Sequence, residues 1–408
     1  VSYLPNSELQ LSAVENSDDY LCTVQIGNRR KSFVVSSAIA AVIEHCKISQ
    51  EKADIEAFAI GRHYLTKANF DAFFQHFLVE KSILVPVGGS TIDPKVNDSS
   101  LRIKLKLVPY HIVNCIVTPL LMIFRKDVAV FVLLSFAASI AHLSWLISTD
   151  YFSQQSTLLT PMDSLYVVVL IAAGLVFHEL GHATAAFKYG CRRVDIGIGW
   201  YIYFIVFYAE LSEAWQFGRH KRLVIDCAGG YFQTIFGVLL WGLYLWTGHF
   251  VFLSASALLA LYSLFNLNPF FRMDGYWIAS DLMNIKNLRY VAYGVIKQFF
   301  FEPKGLLKQI KEKDSCLSSA ILIYSAGMAL FYVWFSYYVY LSLFPTSLLT
   351  VYSDLNQLFT DNLGGVEITL SLAQLVWHLL IIYFVVYFSA SLLKKVVPAF
   401  GRRVRDFG

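Results

Sequence analysis

Two hydrophobic rhythms divide this chain. Up to about residue 85, apolar residues come singly, in alternation or at helical spacing; from residue 107 they come in long runs. In "YLCTVQIGNRRKSFVV" (20–35) the alternation predicts two short strands around a turn containing Asn28. "SSAIAAVIEHCK" (36–47) predicts a helix with Ser36 or Ser37 as its cap. In "TKANFDAFFQHFLVEKSILVP" (66–86), Phe70, Phe73, Phe74, Phe77 and Leu78 recur with helical period and lead into a short strand. Residues 1–85 therefore read as a small α+β winged-helix-like soluble module. Gly, Pro, Ser and Asp in "PVGGSTIDPKVNDSS" then mark a linker, taken as 86–106.

The remainder predicts a polytopic α-helical membrane protein. Apolar runs at 128–148, 164–187, 223–246, 250–265, 318–344 and 370–393 suggest about six transmembrane helices in 128–408. Most match the roughly 20 residues that cross a ~30 Å hydrocarbon core. The loops 149–163 and 345–369 carry no Lys or Arg, whereas 188–222 holds Lys188, Arg192, Arg193, Arg219, Lys221 and Arg222. The stretch 272–313 and the tail from Lys394 are also basic, so both termini are expected in the cytosol of a multi-pass bacterial plasma-membrane protein.

Two stretches break the pattern. Residues 107–127 carry Pro109 and Pro119 between basic flanks (Lys104, Lys106, Arg125, Lys126), which predicts an interfacial or re-entrant segment. In 192–211, Val194, Ile196 and Ile198 alternate with Asp195, Gly197 and Gly199, which predicts a re-entrant β-hairpin with an edge open to an extended peptide.

Composition narrows the class further. Of 408 residues, 56% are hydrophobic and only 15% charged, which excludes a string of soluble domains. The net charge of +4 lies in tracts explained by topology and anionic headgroups, so no nucleic-acid partner is expected. Six cysteines without a CxxC pair suggest neither a disulfide framework nor a cysteine zinc cluster. The polar opening predicts no cleavable signal peptide.

Candidate chemistry lies inside one apolar run, at "VFHELGHATAA" (176–186). His178 and His182, four residues apart, project from one helical face, as two imidazole ligands of a zinc ion require. Glu179 lies between them, where it can act as general base. Polar groups at mid-bilayer are expensive, roughly 2.5–3.5 kcal/mol each on insertion scales, and tend to be functional. Gly181 would allow close packing beside the metal. A third ligand is sought in "NLNPFFRMDGYW" (266–277): Asn268-Pro269 breaks a helix, and Asp274-Gly275 makes a turn that can aim a carboxylate back. The charge-derived topology puts Asp274 at the depth of the two histidines.

With these motifs, 164–281 resembles the site-2 protease family of intramembrane zinc metallopeptidases. His178, Glu179 and His182 complete its HExxH; Asn266, Pro269, Asp274 and Gly275 complete its N-x-x-P-x-x-x-x-D-G. The resemblance implies one Zn2+ per chain on His178, His182 and Asp274, Glu179 as base, and Asn266 hydrogen-bonded to substrate or oxyanion. "AGGYFQT" (228–234) departs from the family's Ala-Gly-Pro-x-x-Asn, since Gly230 replaces Pro and Gln233 replaces Asn. There is no candidate for a PDZ or CBS insertion. The chain instead resembles the branch of peptide zinc metallopeptidases encoded with bacterial peptide-modification systems, its front resembling a PqqD-like module that binds leader peptides.

The expected function is hydrolysis of a peptide bond in a small ribosomally made or membrane-associated peptide. A modification enzyme or transporter is a possible partner. The alternatives are regulated intramembrane proteolysis of a signalling protein, or a non-catalytic peptide export or immunity component. His142 and His378 read as packing or hydrogen-bonding residues, Glu210 and Glu213 as a solvated acidic loop, and the aromatic stripe 332–340 as lipid-facing or core.

Overall fold

The computed structural model describes residues 3–86, 101–301 and 315–360, apart from 7, 27–28, 50, 202–203 and 286, together with 371–372, 374–383, 385–387 and 389. Helices make up 73% of it, with a small sheet domain at the N-terminus. The chain divides into two units, Val1–Leu134 with Gly174–Phe236 and Ser135–Ala173 with Gly237–Gly408.

The first unit begins with three antiparallel strands, β2 (Gln10–Ala13), β3 (Asp19–Ile26) and β4 (Arg29–Ser36), after a short β1 (Tyr3–Pro5). The β3–β4 register, Asp19 opposite Ser36 through Ile26 opposite Arg29, is the hairpin the alternation predicts. Its Asn28 turn lies outside the described residues. Helix α1 (Ser37–Cys46) starts where the cap was expected, with the Ser36 hydroxyl accepting from the Ile39 N–H. Helix α2 (Lys52–Gly61), not anticipated from the sequence, buries Ile55 and Ala59. Helix α3 (Lys67–Phe73) carries the phenylalanine stripe into a π-helical turn, Phe74–Val79. Strand β5 (Leu84–Pro86) then pairs back with β1. Phe70, Phe74, Leu78, Ile43, Ile55 and Val24 fill the core. The buried thiols of Cys22 and Cys46 are pushed up to about 12 by desolvation, so they are packing residues rather than nucleophiles.

The expected linker is not all linker. Residues Leu101–Val108 form β6, which pairs antiparallel with β7 (Ile196–Tyr201), itself paired with β8 (Phe204–Ala209). The strands expected in 192–211 are thus two of a three-stranded sheet in which β7 is central and β8 lies at an edge. Lys104 meets Glu210 at 2.9 Å and Lys106 meets Asp195 at 2.7 Å, so opposite charges fix the strand's register. Glu210 is therefore an ion-pair partner, not the solvated loop residue the sequence suggested. Helix α4 (Tyr110–Leu120) follows, with a 3₁₀ turn to Phe124; its first N–H is capped by Asp195 at 2.7 Å. The whole segment is too short to cross a bilayer, for which about 20 helical residues are needed. Leu105, Leu107, Ile112, Ile116 and Met122 are exposed along β6 and α4.

Among the described residues, four helices are long and apolar enough to cross a membrane: Lys126–Ser148 (α5), Pro161–Tyr189 (α7), Arg219–Thr247 (α8) and a continuous helix over Leu317–Asn356. Helix α6 (Tyr151–Ser156) links α5 to α7. The run at 250–265 becomes α9 (Phe250–Asn266), a shorter helix of 17 residues. The run at 370–393 is described only in part, as helical residues 371–372, 374–383, 385–387 and 389. The stretch 345–360, expected as loop, is helical: a π turn at Val339–Leu343 precedes Pro345, and the helix continues to Thr360. Pro345 has no N–H to donate, and the wider turn before it absorbs the lost hydrogen bond.

In the second unit, Tyr276, Leu288, Ala292, Tyr324 and Met328 form a core between α10 (Asp274–Leu282), α11 (Leu288–Phe301) and the long helix.

Candidate metal centre

Helix α7 owes its register to strong ends. Thr160 caps it: its hydroxyl accepts from the Asp163 N–H at 3.2 Å, and the Asp163 carboxylate accepts from the Thr160 N–H at 3.0 Å. Pro161 follows at the first helical position, where a missing N–H is harmless. At the other end Gly190 adopts φ +112°, and Cys191 and Gly190 donate to Ala186 and Phe187. Between these ends the i, i+4 spacing sets His178 and His182 on one face, each only 5% exposed.

The imidazoles converge, with Nε2 of His178 and Nε2 of His182 3.1 Å apart. His182 Nδ1 lies 2.8 Å from the Ile225 carbonyl oxygen of α8. A carbonyl can only accept, so Nδ1 carries a proton and Nε2 is the nitrogen turned toward His178. Metal-bound histidines are oriented in this way.

Helix α8 also leaves room beside the two nitrogens. A Cβ on Gly229 would collide with His182 Nε2 and come within 2.7 Å of His178 Nε2. Gly181 plays the complementary part on α7: its Cβ would strike the Ala228 carbonyl and come 2.8 Å from Phe232. The two glycines let α7 and α8 approach closely, and Phe177 packs on Phe232 at 5.2 Å beside them. Glu179 is half-buried on the same helix.

The second unit carries the other motif. Asn266, 7% exposed, ends α9 and donates from Nδ2 to Asp274 Oδ2 at 2.7 Å. Asp274 is the first residue of α10, where the N-terminal end of a helix favours a carboxylate. The loop between them is tightly built. Asn268 Oδ1 accepts from the Phe270 N–H at 2.8 Å, and the Pro269 carbonyl accepts from the Tyr324 hydroxyl at 2.9 Å. A side chain at Gly275 would collide with the Leu267 carbonyl, so this return turn demands glycine.

The predicted residues thus fall into two sets, His178 with His182 and Asn266 with Asp274, each brought together within its own unit. Within the first unit the histidine pair is a nitrogen donor set of the kind that can hold a metal ion. The missing side chain at Gly229 leaves space beside both Nε2 atoms. Sequence reasoning missed Ile225 and Gly229: in "AGGYFQT" it weighed Gly230 and Gln233, whereas Gly229 makes the close approach. Gln233 is buried at 1% exposure. His142 accepts the Trp241 indole N–H at 3.0 Å, a hydrogen-bonding role as expected. His378 lies 3.2 Å from the Asp354 carboxylate.

Comparison of the chain with protein-family models, with curated proteins and with solved structures finds no match.

Proposed function

We propose that the protein is an intramembrane zinc endopeptidase in which His178, His182 and Asp274 hold one zinc ion and Glu179 is the general base. The observation that carries this reading is the pair of Nε2 atoms 3.1 Å apart beside a glycine, with His182 fixed by the Ile225 carbonyl. A purely structural pair would need neither the space at Gly229 nor a carboxylate one residue along.

When bound, zinc supplies Lewis acidity toward a carbonyl and acidifies water. The chain's own residues do the rest. Glu179 accepts a proton from the attacking water and passes it to the leaving amine as the C–N bond breaks. Asn266 restrains Asp274 through a hydrogen bond to Oδ2. That makes Asn266 a positioning residue; contact with the oxyanion is a second role this proposal does not require.

The proposed setting is a multi-pass bacterial plasma-membrane protein of about six spans with both termini cytosolic. The β7–β8 hairpin dips into the cytosolic leaflet, and α4 lies along its surface. Because β6 occupies one edge of β7, the edge offered to an extended substrate is that of β8. The substrate is a small ribosomally made or membrane-associated peptide, its leader delivered by the N-terminal module.

Cleavage of a leader-bearing peptide by the purified chain should stop in Glu179→Gln while zinc content stays near one per chain. Full activity in that variant overturns the mechanism. A single-span substrate cut in preference to the peptide would favour regulated proteolysis of a signalling protein. Peptide export surviving Glu179→Gln would favour the non-catalytic reading.

A further inference from the structure

Outside the candidate metal centre, the second unit holds a cavity of about 380 Å³ lined by His142, Trp145, Thr149, Tyr151, Gln154 and Tyr244. These residues come from the C-terminal turns of α5 and α8 and from α6. Rings dominate the wall. Trp145 stacks on the His142 imidazole at 6.0 Å, and Tyr244 lies 6.1 Å from it at 34°. Trp241 meets the same imidazole at 66° and donates its indole N–H to Nδ1 at 3.0 Å.

An indole nitrogen can only donate, so His142 Nδ1 accepts that bond and the ring is fixed in the wall. No lysine or arginine occurs in 127–187 or in 223–271, the stretches that supply every lining residue. The one formal charge in the α5–α6 turn is Asp150, exposed between Thr149 and Tyr151. The cavity thus presents aromatic faces, neutral hydroxyls and an amide, next to a carboxylate. An anion finds no counter-charge there, whereas a cation finds π faces that attract it once water is excluded.

We infer that this cavity binds an organic ammonium group, from a lipid headgroup or a free amine. Trp145, 60% exposed, forms the lip over which the group enters. The site is independent of the zinc reading, and its test needs no peptidase activity.

The full chain, purified in a maltoside detergent, is titrated with tetramethylammonium chloride and, at matched ionic strength, with sodium chloride while tryptophan fluorescence is followed. A saturable response to tetramethylammonium alone is expected. Trp145→Leu should weaken it about five-fold, the size of an exposed cation–π contact of roughly 1 kcal/mol. Tyr244→Leu is the second variant, with melting temperature as the check on folding. Native mass spectrometry then separates the sources. Phosphatidylethanolamine retained over phosphatidylglycerol and displaced by tetramethylammonium assigns a lipid headgroup; tetramethylammonium binding without lipid preference assigns a free cation. No saturable response, or an unchanged one in both folded variants, overturns the proposal.

Discussion

At Gly229 the side chain that is missing matters as much as the two histidines that are present. A methyl group there would occupy the space in front of both Nε2 atoms. Gly229→Ala should therefore reduce zinc affinity at least about ten-fold, as disturbed metal surroundings commonly do. Gly230→Ala, whose Cβ meets nothing within 4 Å, should leave it unchanged. Chelator competition on the two purified variants measures the difference. If Asp274 is the third ligand as proposed, Asn266→Ala should lower zinc affinity about 10- to 100-fold, the usual loss for a ligand's orienting partner. Equal affinity in wild type and variant would remove Asn266 from the positioning role. The histidine pair was legible in the sequence because four-residue spacing is a local property of any helix. Gly229 and Ile225 were not, because they act across a helix pair, and single-sequence reasoning has no measure of how closely two helices pack. Asn266 and Asp274 were both named from their motif, yet the bond between them is a matter of loop geometry.

Individual elements show where periodicity is readable and where it is misread. Strand β6 alternates Leu101, Ile103, Leu105 and Leu107 with Arg102, Lys104 and Lys106, a clear two-residue period. It was passed over because its lysines looked like a topological flank, whereas Lys104 and Lys106 answer Glu210 and Asp195. The Thr160 cap of α7 belongs to this scale too. Thr160→Ala should lower thermal stability by about 1 kcal/mol, the typical value of an N-cap, as read from denaturant or thermal unfolding in detergent.

A second pairing of elements joins the N-terminal module to the start of α8. Glu15 accepts from Lys221 at 2.8 Å and from the Gly218 N–H at 3.1 Å, while its own N–H donates to Gln216. The Lys221 ammonium, then the Gly218 N–H, hold the Glu15 carboxyl below its ordinary range. A depressed carboxyl stabilises the folded form above its unfolded pKa, near about 4, and that contribution is lost as pH falls through the lower folded value. Hydrogen exchange at the Glu15 and Gly218 amides should hence quicken on acidification relative to neighbouring amides, after correction for intrinsic rates. Glu15→Gln should show the faster exchange already at neutral pH. A pH-independent protection pattern in both proteins would contradict this.

For the molecule as a whole, membrane character was plain from the apolar runs, but their conversion into helices was not one-to-one. Residues 250–265 give a helix of 17 residues, while 318–344 extends into a continuous helix of 40. Hydropathy reports which residues avoid water; it does not report where backbone hydrogen bonding stops. The stretch from Pro345 is expected as loop, and the π turn before it carries the helix onward instead. That helix has a mechanical consequence. At 1.5 Å per residue it is about 60 Å long, twice a hydrocarbon core of ~30 Å. A single hydrocarbon core would cover only about half of that length, so the rest would project beyond it or the helix would tilt. A change in bilayer thickness would then alter how much of the helix is covered, and the wider turn at Val339–Leu343 is where it can bend to adjust.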